Sequence, residues 1–213
     1  MASATRSIEL DPTRPRQWVL RADANRLLGR LADARADAER GLETDPGSAR
    51  SWIVRGNVRL DAGDAAGAGE DADRAIALDP RAGEALSIRA EVRRQRNDLA
   101  GALADAEQAM TLGPSDSRPW LVRGLIRLAR DEHAGAAEDA TTAIERGART
   151  TVAYLIRGDA RRLMGDLDGA VADLRTALAG EPPGSRYHAM LQSRLVLIDR
   201  RRAGPDLGVT SPR

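Results

Sequence analysis

The chain has 213 residues, 33 basic against 32 acidic side chains and a formal net charge of +1, a balance that argues against a strong nucleic-acid or polyanion binder. It has no cysteine, so no disulfide framework, thiol nucleophile or Cys-based zinc site is available. No apolar run approaches the ~18 residues of a membrane span, and the N-terminus lacks a basic stretch followed by an apolar core, so the expectation is a cytoplasmic protein with no membrane partner.

The prolines set a period. Pro12, Pro46, Pro80 and Pro114 are evenly spaced, and Pro182 falls two periods after Pro114. Trp18, Trp52, Trp120 and Tyr154 fall on the same lattice, with Leu86 in the missing place. A period of about 34 residues divides the chain into successive units. Residues 1–13 read as a partial repeat or an N-terminal cap, because MASATRSIELDP resembles the later RAIALDP. Five units follow, at 14–46, 47–80, 81–114, 115–148 and 149–182. Their predicted helices run at 14–28 and 31–44, 48–62 and 65–78, 82–96 and 99–112, 116–130 and 133–146, and 150–164 and 167–180. The second helix of unit 2 carries Gly67 and Gly69. Each glycine costs about 1 kcal/mol against Ala in a helix interior, so this helix is expected to be the softest. Residues 183–202 form one more helix in the register of a first helix. Its position 8 is Gln192, and a small residue is needed there only if a second helix packs against it. It reads as the cap that a repeat array needs. Residues 203–213, AGPDLGVTSPR, read as a flexible tail.

With the Trp numbered as position 4 of a unit, position 8 is Ala22, Gly56, Ala90, Gly124 and Gly158. Position 20 is Ala34, Ala68, Ala102, Ala136 and Ala170. Position 27 is Gly41, Ala75, Ala109, Ala143 and Ala177, and position 32 is Pro46, Pro80, Pro114, Ala148 and Pro182. This pattern resembles the tetratricopeptide repeat (TPR) family, over roughly residues 15–182. Positions 4 and 8 are one helical turn apart, so a ring and a small residue share a face. The middle turn, at Gly29, Gly63, Asn97, Asp131 and Gly165, favours residues that tolerate a left-handed backbone. The resemblance implies an all-α fold, a right-handed α-solenoid of five helix-turn-helix units plus a C-terminal capping helix.

Two departures from the family pattern stand out. Position 7, usually Leu, is Arg21, Arg55, Arg89, Arg123 and Arg157. Position 11, usually Tyr, is Asn25, Arg59, Arg93, Arg127 and Arg161. Position 23 is Asp in every copy, at Asp37, Asp71, Asp105, Asp139 and Asp173. In an antiparallel hairpin turning near position 16, positions 7 and 23 lie at one height. The expectation is an Arg–Asp bridge inside each unit, of bidentate geometry. The alternative is an arginine track for phosphate or carboxylate.

Catalytic chemistry is hard to place. His133 and His188 sit in different units, His133 expected to be exposed and His188 packed. No Gly-Lys-Ser/Thr loop can form, because lysine is absent. The expectation is no enzyme, no metal and no cofactor. Family positions 2, 5, 9, 12 and 13 imply a concave groove. In units 1 to 3 these positions are mixed and polar, including Val19, Ile53, Asn57 and Ser87. Units 4 and 5 present an apolar patch rimmed by arginines. The candidate peptide-binding residues are Arg94, Arg118, Leu121, Leu125, Leu128, Leu155 and Arg162. An apolar patch marks an interaction site, unless these leucines pack between helices or against the cap. The implied function is a non-enzymatic scaffold for a peptide or protein segment. The alternatives are a self-associating module and the adaptor portion of a longer signalling enzyme.

Overall fold

The computed structural model describes residues 6, 8, 11, 13–113, 116–148 and 150–203. Eleven α-helices stand among the described residues. They are α1 (Pro15–Leu27), α2 (Leu31–Thr44), α3 (Ala49–Asp61), α4 (Ala65–Leu78), α5 (Gly83–Gln95), α6 (Leu99–Thr111), α7 (Arg118–Ala129), α8 (His133–Glu145), α9 (Thr151–Met164), α10 (Leu167–Ala179) and α11 (Arg186–Ala203). The chain divides into two compact units, Met1–Val122 and Arg123–Arg213, with the boundary inside α7.

Each helix pair is an antiparallel hairpin closed by one left-handed residue. Gly29, Gly63 and Gly165 have φ of 72°, 84° and 90°, and Asn97 and Asp131 take the same place at 64° and 61°. An L-residue tolerates this region poorly, and Asn and Asp tolerate it best. Asp64, Asp98 and Asp166 then cap the following helices by accepting from the N–H groups of Gly67, Gly101 and Gly169. This satisfies a donor that the helix start leaves free.

In the first unit α1 packs on α2, α3 on α4 and α5 on α6, while α1, α3 and α5 also touch in sequence. The core of the second helices is alanine: Ala68, Ala72, Ala75, Ala102, Ala106 and Ala109 are wholly buried. Large side chains come from the first helices, with Ile53, Ile88 and Val92 closing the cluster around α4. The glycines of α4 are buried there too. A Cβ on Gly69 would lie 3.2 Å from Val92 Cγ1, so close approach is the reason for that glycine.

In the second unit α8 and α10 pack on α9, and α11 packs on α10. Leu191 and Ile198 are the buried residues of α11, joining Val171 and Leu174. Gln192 is exposed. Arg194 and Arg202 tie α11 to Asp159 and Asp168. The N-terminal segment 1–13 falls largely outside the described residues; of its first ten, Arg6 and Ile8 are described, both helical, with Ile8 buried. The tail at 204–213 also lies outside them.

Candidate functional site

The arginines of position 7 are bound within their own hairpins. Arg21 donates from Nε and Nη2 to the two oxygens of Asp37, at 2.8 and 2.7 Å. Arg55 does so with Asp71 at 3.0 and 2.6 Å, Arg89 with Asp105 at 2.8 and 2.8 Å, and Arg157 with Asp173 at 2.9 and 2.7 Å. Arg123 reaches Asp139 at 2.7 Å. The aspartates are buried and the arginines about a fifth exposed: 1% for Asp71 against 19% for Arg55. Hydrogen bonding to these aspartates is the chief reason that Arg21, Arg55, Arg89 and Arg157 hold their protons more tightly than a free guanidinium.

A ring at position 4 covers the guanidinium from the other side. Arg21 lies 5.0 Å from the Trp18 centroid, Arg55 4.8 Å from Trp52 and Arg157 5.7 Å from Tyr154. Unit 3 has Leu86 there, and Arg89 gains a second acid instead, Asp73 at 3.0 Å.

Position 11 belongs to the same network, a partner that the reading of positions 7 and 23 left out. Arg59, Arg93, Arg127 and Arg161 reach Asp71, Asp105, Asp139 and Asp173 at 3.0, 2.8, 2.9 and 2.8 Å. Each also donates to the carbonyl of position 19, at Gly67, Gly101, Gly135 and Gly169. Unit 1 changes as a set. Asn25 replaces the arginine and donates to Asp37 at 3.0 Å, Asp33 stands where the others have glycine, and Arg30 gives no side-chain cap. The signal was the four-residue spacing of positions 7 and 11, which puts both on one helix face.

The polar groove positions of the first unit are also paired among themselves. Arg26 donates to Asp23 at 3.0 Å and to Asp61 at 2.9 Å. Arg50 donates to Glu84 at 2.5 Å and to Asp23 at 3.3 Å, so three first helices are joined. Arg94 pairs with Glu91 at 2.7 Å. In units 1 to 3 position 5 is buried, at Val19, Ile53 and Ser87, and Ser87 donates to the Gly83 carbonyl.

A cavity of about 190 Å³ remains, lined by Asp23, Arg26, Arg50, Asn57, Glu84, Asp116 and Arg118. Asn57 is 7% exposed, and its Oδ1 has no hydrogen-bond partner. Arg118 Nη1 is buried without one as well, 3.6 Å from Asp116 Oδ2. Leu121, in the first unit, is half-buried. In the second unit Leu125 and Leu128 are half-buried, Leu155 packs against the cluster holding Leu191 and Ile198, and Arg162 lies 3.8 Å from Asp159. His133 is half-buried rather than exposed, 4.0 Å from Asp131. Among the described residues no three His, Cys, Asp or Glu side chains gather as metal ligands, and no helix is long and apolar enough to cross a membrane.

Residues 53–117 match the family model described as tetratricopeptide repeat. No curated protein matches the sequence. Among solved structures, a chain of the APC/C hetero-tetramer Cut9-Hcn1 is similar with a TM-score of 0.79 at 14% identity, over 93% of this chain and 39% of that one. This chain therefore spans well under half of that relative. TTC0263, a thermophilic TPR protein of Thermus thermophilus, is similar with a TM-score of 0.66 at 21% identity, over 88% of this chain and 100% of that one. YrrB, described as a TPR protein with an unusual peptide-binding site, is similar with a TM-score of 0.54 at 16% identity, over 94% and 97%. At these identities the likeness is one of fold. The tetratricopeptide-repeat match is thus to residues 53–117, and the fold of the chain is an all-α TPR solenoid.

Proposed function

We propose that this protein is a non-enzymatic interaction scaffold that binds a peptide or protein segment, and that the first unit holds the segment at Asn57 and Arg118. The observation that carries this reading is the Asn57 carboxamide, buried to 7% exposure with an oxygen that has no protein partner. Burying such a group unpaired costs about 1–3 kcal/mol. A ligand that satisfies it recovers that cost on binding. The arginines of the position 7 ladder have their acids already and serve as structural clamps. Arg94 and Leu121 extend the contact surface of the first unit. Leu125, Leu128, Leu155 and Arg162 offer the second unit a surface of its own. A protein of this fold, YrrB, is described as having a peptide-binding site, which is consistent with the reading.

Selection from a random displayed peptide library tests it, run in parallel on the wild type and on Asn57→Leu and Arg118→Ala. Enrichment on the wild type, lost on both folded variants, is the expected outcome. Equal enrichment on all three would refute the assignment.

A second reading, self-association, is favoured by Leu163, Met164, Val196 and Leu197 of the second unit, which are 44–60% exposed. Light scattering across a dilution series on the wild type and Leu197→Glu separates the two. A dimer that the substitution dissolves would favour self-association.

A further inference from the structure

We infer that the cavity around Asn57 is a subsite for one primary carboxamide, the side chain of a glutamine or asparagine on the bound segment. This rests on the binding reading above and names the chemistry of its occupant.

Two kinds of atom are left over in the cavity. Asn57 Oδ1 is an acceptor and Arg118 Nη1 a donor, both buried and both without a hydrogen-bond partner. A primary carboxamide carries an N–H for the first and a C=O for the second. Turning the Asn57 amide over exchanges its oxygen and nitrogen, and a carboxamide ligand matches either orientation.

The charges of the lining exclude the simpler ions. Three carboxylates, Asp23, Glu84 and Asp116, face three guanidiniums, Arg26, Arg50 and Arg118. Arg26 and Arg50 are both held by acids, Arg50 by Glu84 at 2.5 Å and Asp23 at 3.3 Å. An incoming carboxylate could reach Arg118 Nη1, but it would sit beside Asp23, Glu84 and Asp116 and has no donor for Asn57 Oδ1. An incoming ammonium would meet the guanidiniums. A neutral group with one donor and one acceptor edge leaves the Arg26 and Arg50 pairs in place and adds no charge beside Arg118 and Asp116.

Size limits the occupant to a small group. A volume of about 190 Å³ is below the ~300–1,000 Å³ of a small-molecule site. It holds a single side chain.

The test uses the whole protein, labelled with ¹⁵N, and three probes whose C-termini are capped as secondary amides: acetyl-Gly-Gln-Gly-N-methylamide, acetyl-Gly-Glu-Gly-N-methylamide and acetyl-Gly-Leu-Gly-N-methylamide. The readout is the side-chain NH₂ resonance of Asn57, assigned by its loss in Asn57→Leu. The glutamine peptide is expected to shift this resonance at least tenfold more tightly than the other two. Comparable shifts with the glutamate peptide would make this a carboxylate site and overturn the proposal. Comparable shifts with all three would mean that backbone amides suffice, and would also overturn it. If no probe shifts Asn57 while the library selection still depends on Asn57, the carboxamide assignment falls and the binding reading stands.

Discussion

Arg55 holds Asp71 with two hydrogen bonds, Nε at 3.0 Å and Nη2 at 2.6 Å, across the two helices of one hairpin and 16 residues apart. Asp71 is 1% exposed. With alanine filling most of the second-helix core, this pair does what larger apolar side chains would otherwise do, which is to fix the height of one helix against the other.

Removing the acid should therefore cost far more than a surface pair would. Asp105→Ala leaves Arg89 and Arg93 without their shared carboxylate, and the expected loss is about 3–5 kcal/mol. Joint replacement of all three by apolar residues, Arg89→Met and Arg93→Met with Asp105→Leu, should recover much of it. Chemical denaturation measures both. A loss within the ~0–1 kcal/mol of an exposed pair would contradict the clamp.

The two arginines on each aspartate are not equal. Arg89 has both Nε and Nη2 on Asp105, while Arg93 gives it Nη1 alone. Arg93→Ala should destabilise by about 1–2 kcal/mol and Arg89→Ala by more. The reverse order in thermal melts would show that position 11 carries the hairpin.

Helix α4 should exchange its amide protons fastest among the helices of the first unit. Gly67 and Gly69 lie inside it, each costing about 1 kcal/mol in helix propensity. Hydrogen exchange that protects α4 as well as α6 would refute this.

Asp131 sits at φ 61° with its side chain 93% exposed, and the His133 ring is 4.0 Å away. Glycine occupies this turn in three other hairpins without strain. Asp131→Gly should raise stability by about 0.5–1 kcal/mol, by relief of the left-handed backbone. A fall in melting temperature would mean that the Asp131 side chain contributes more than its exposure suggests.

The periodic part of the molecule was legible in the sequence. Each helix of the five units begins and ends within two residues of its expected place, because a turn of Gly, Asn or Asp, together with a proline or an aromatic ring, punctuates every unit. What depends on three-dimensional pairing was less legible. Position 5 looked like a groove position, yet Val19 and Ile53 are buried between neighbouring helices. The position 11 arginines were visible as a departure but had no assigned partner, since one aspartate serves two of them. Asn57 stood among polar groove residues. Its distinction is an unpaired oxygen inside a cavity whose other charged groups have counter-charges, and no spacing rule encodes that.

Asn57 is assigned to binding where the buried aspartates are assigned to folding, and equilibrium unfolding of Asn57→Leu tests that division most directly. Asn57 is buried with an unsatisfied oxygen, so leucine there should leave stability unchanged or raise it by about 1–2 kcal/mol, with loss of peptide binding. A loss of stability above about 1 kcal/mol would make Asn57 a structural residue and contradict the assignment of the cavity as a binding site.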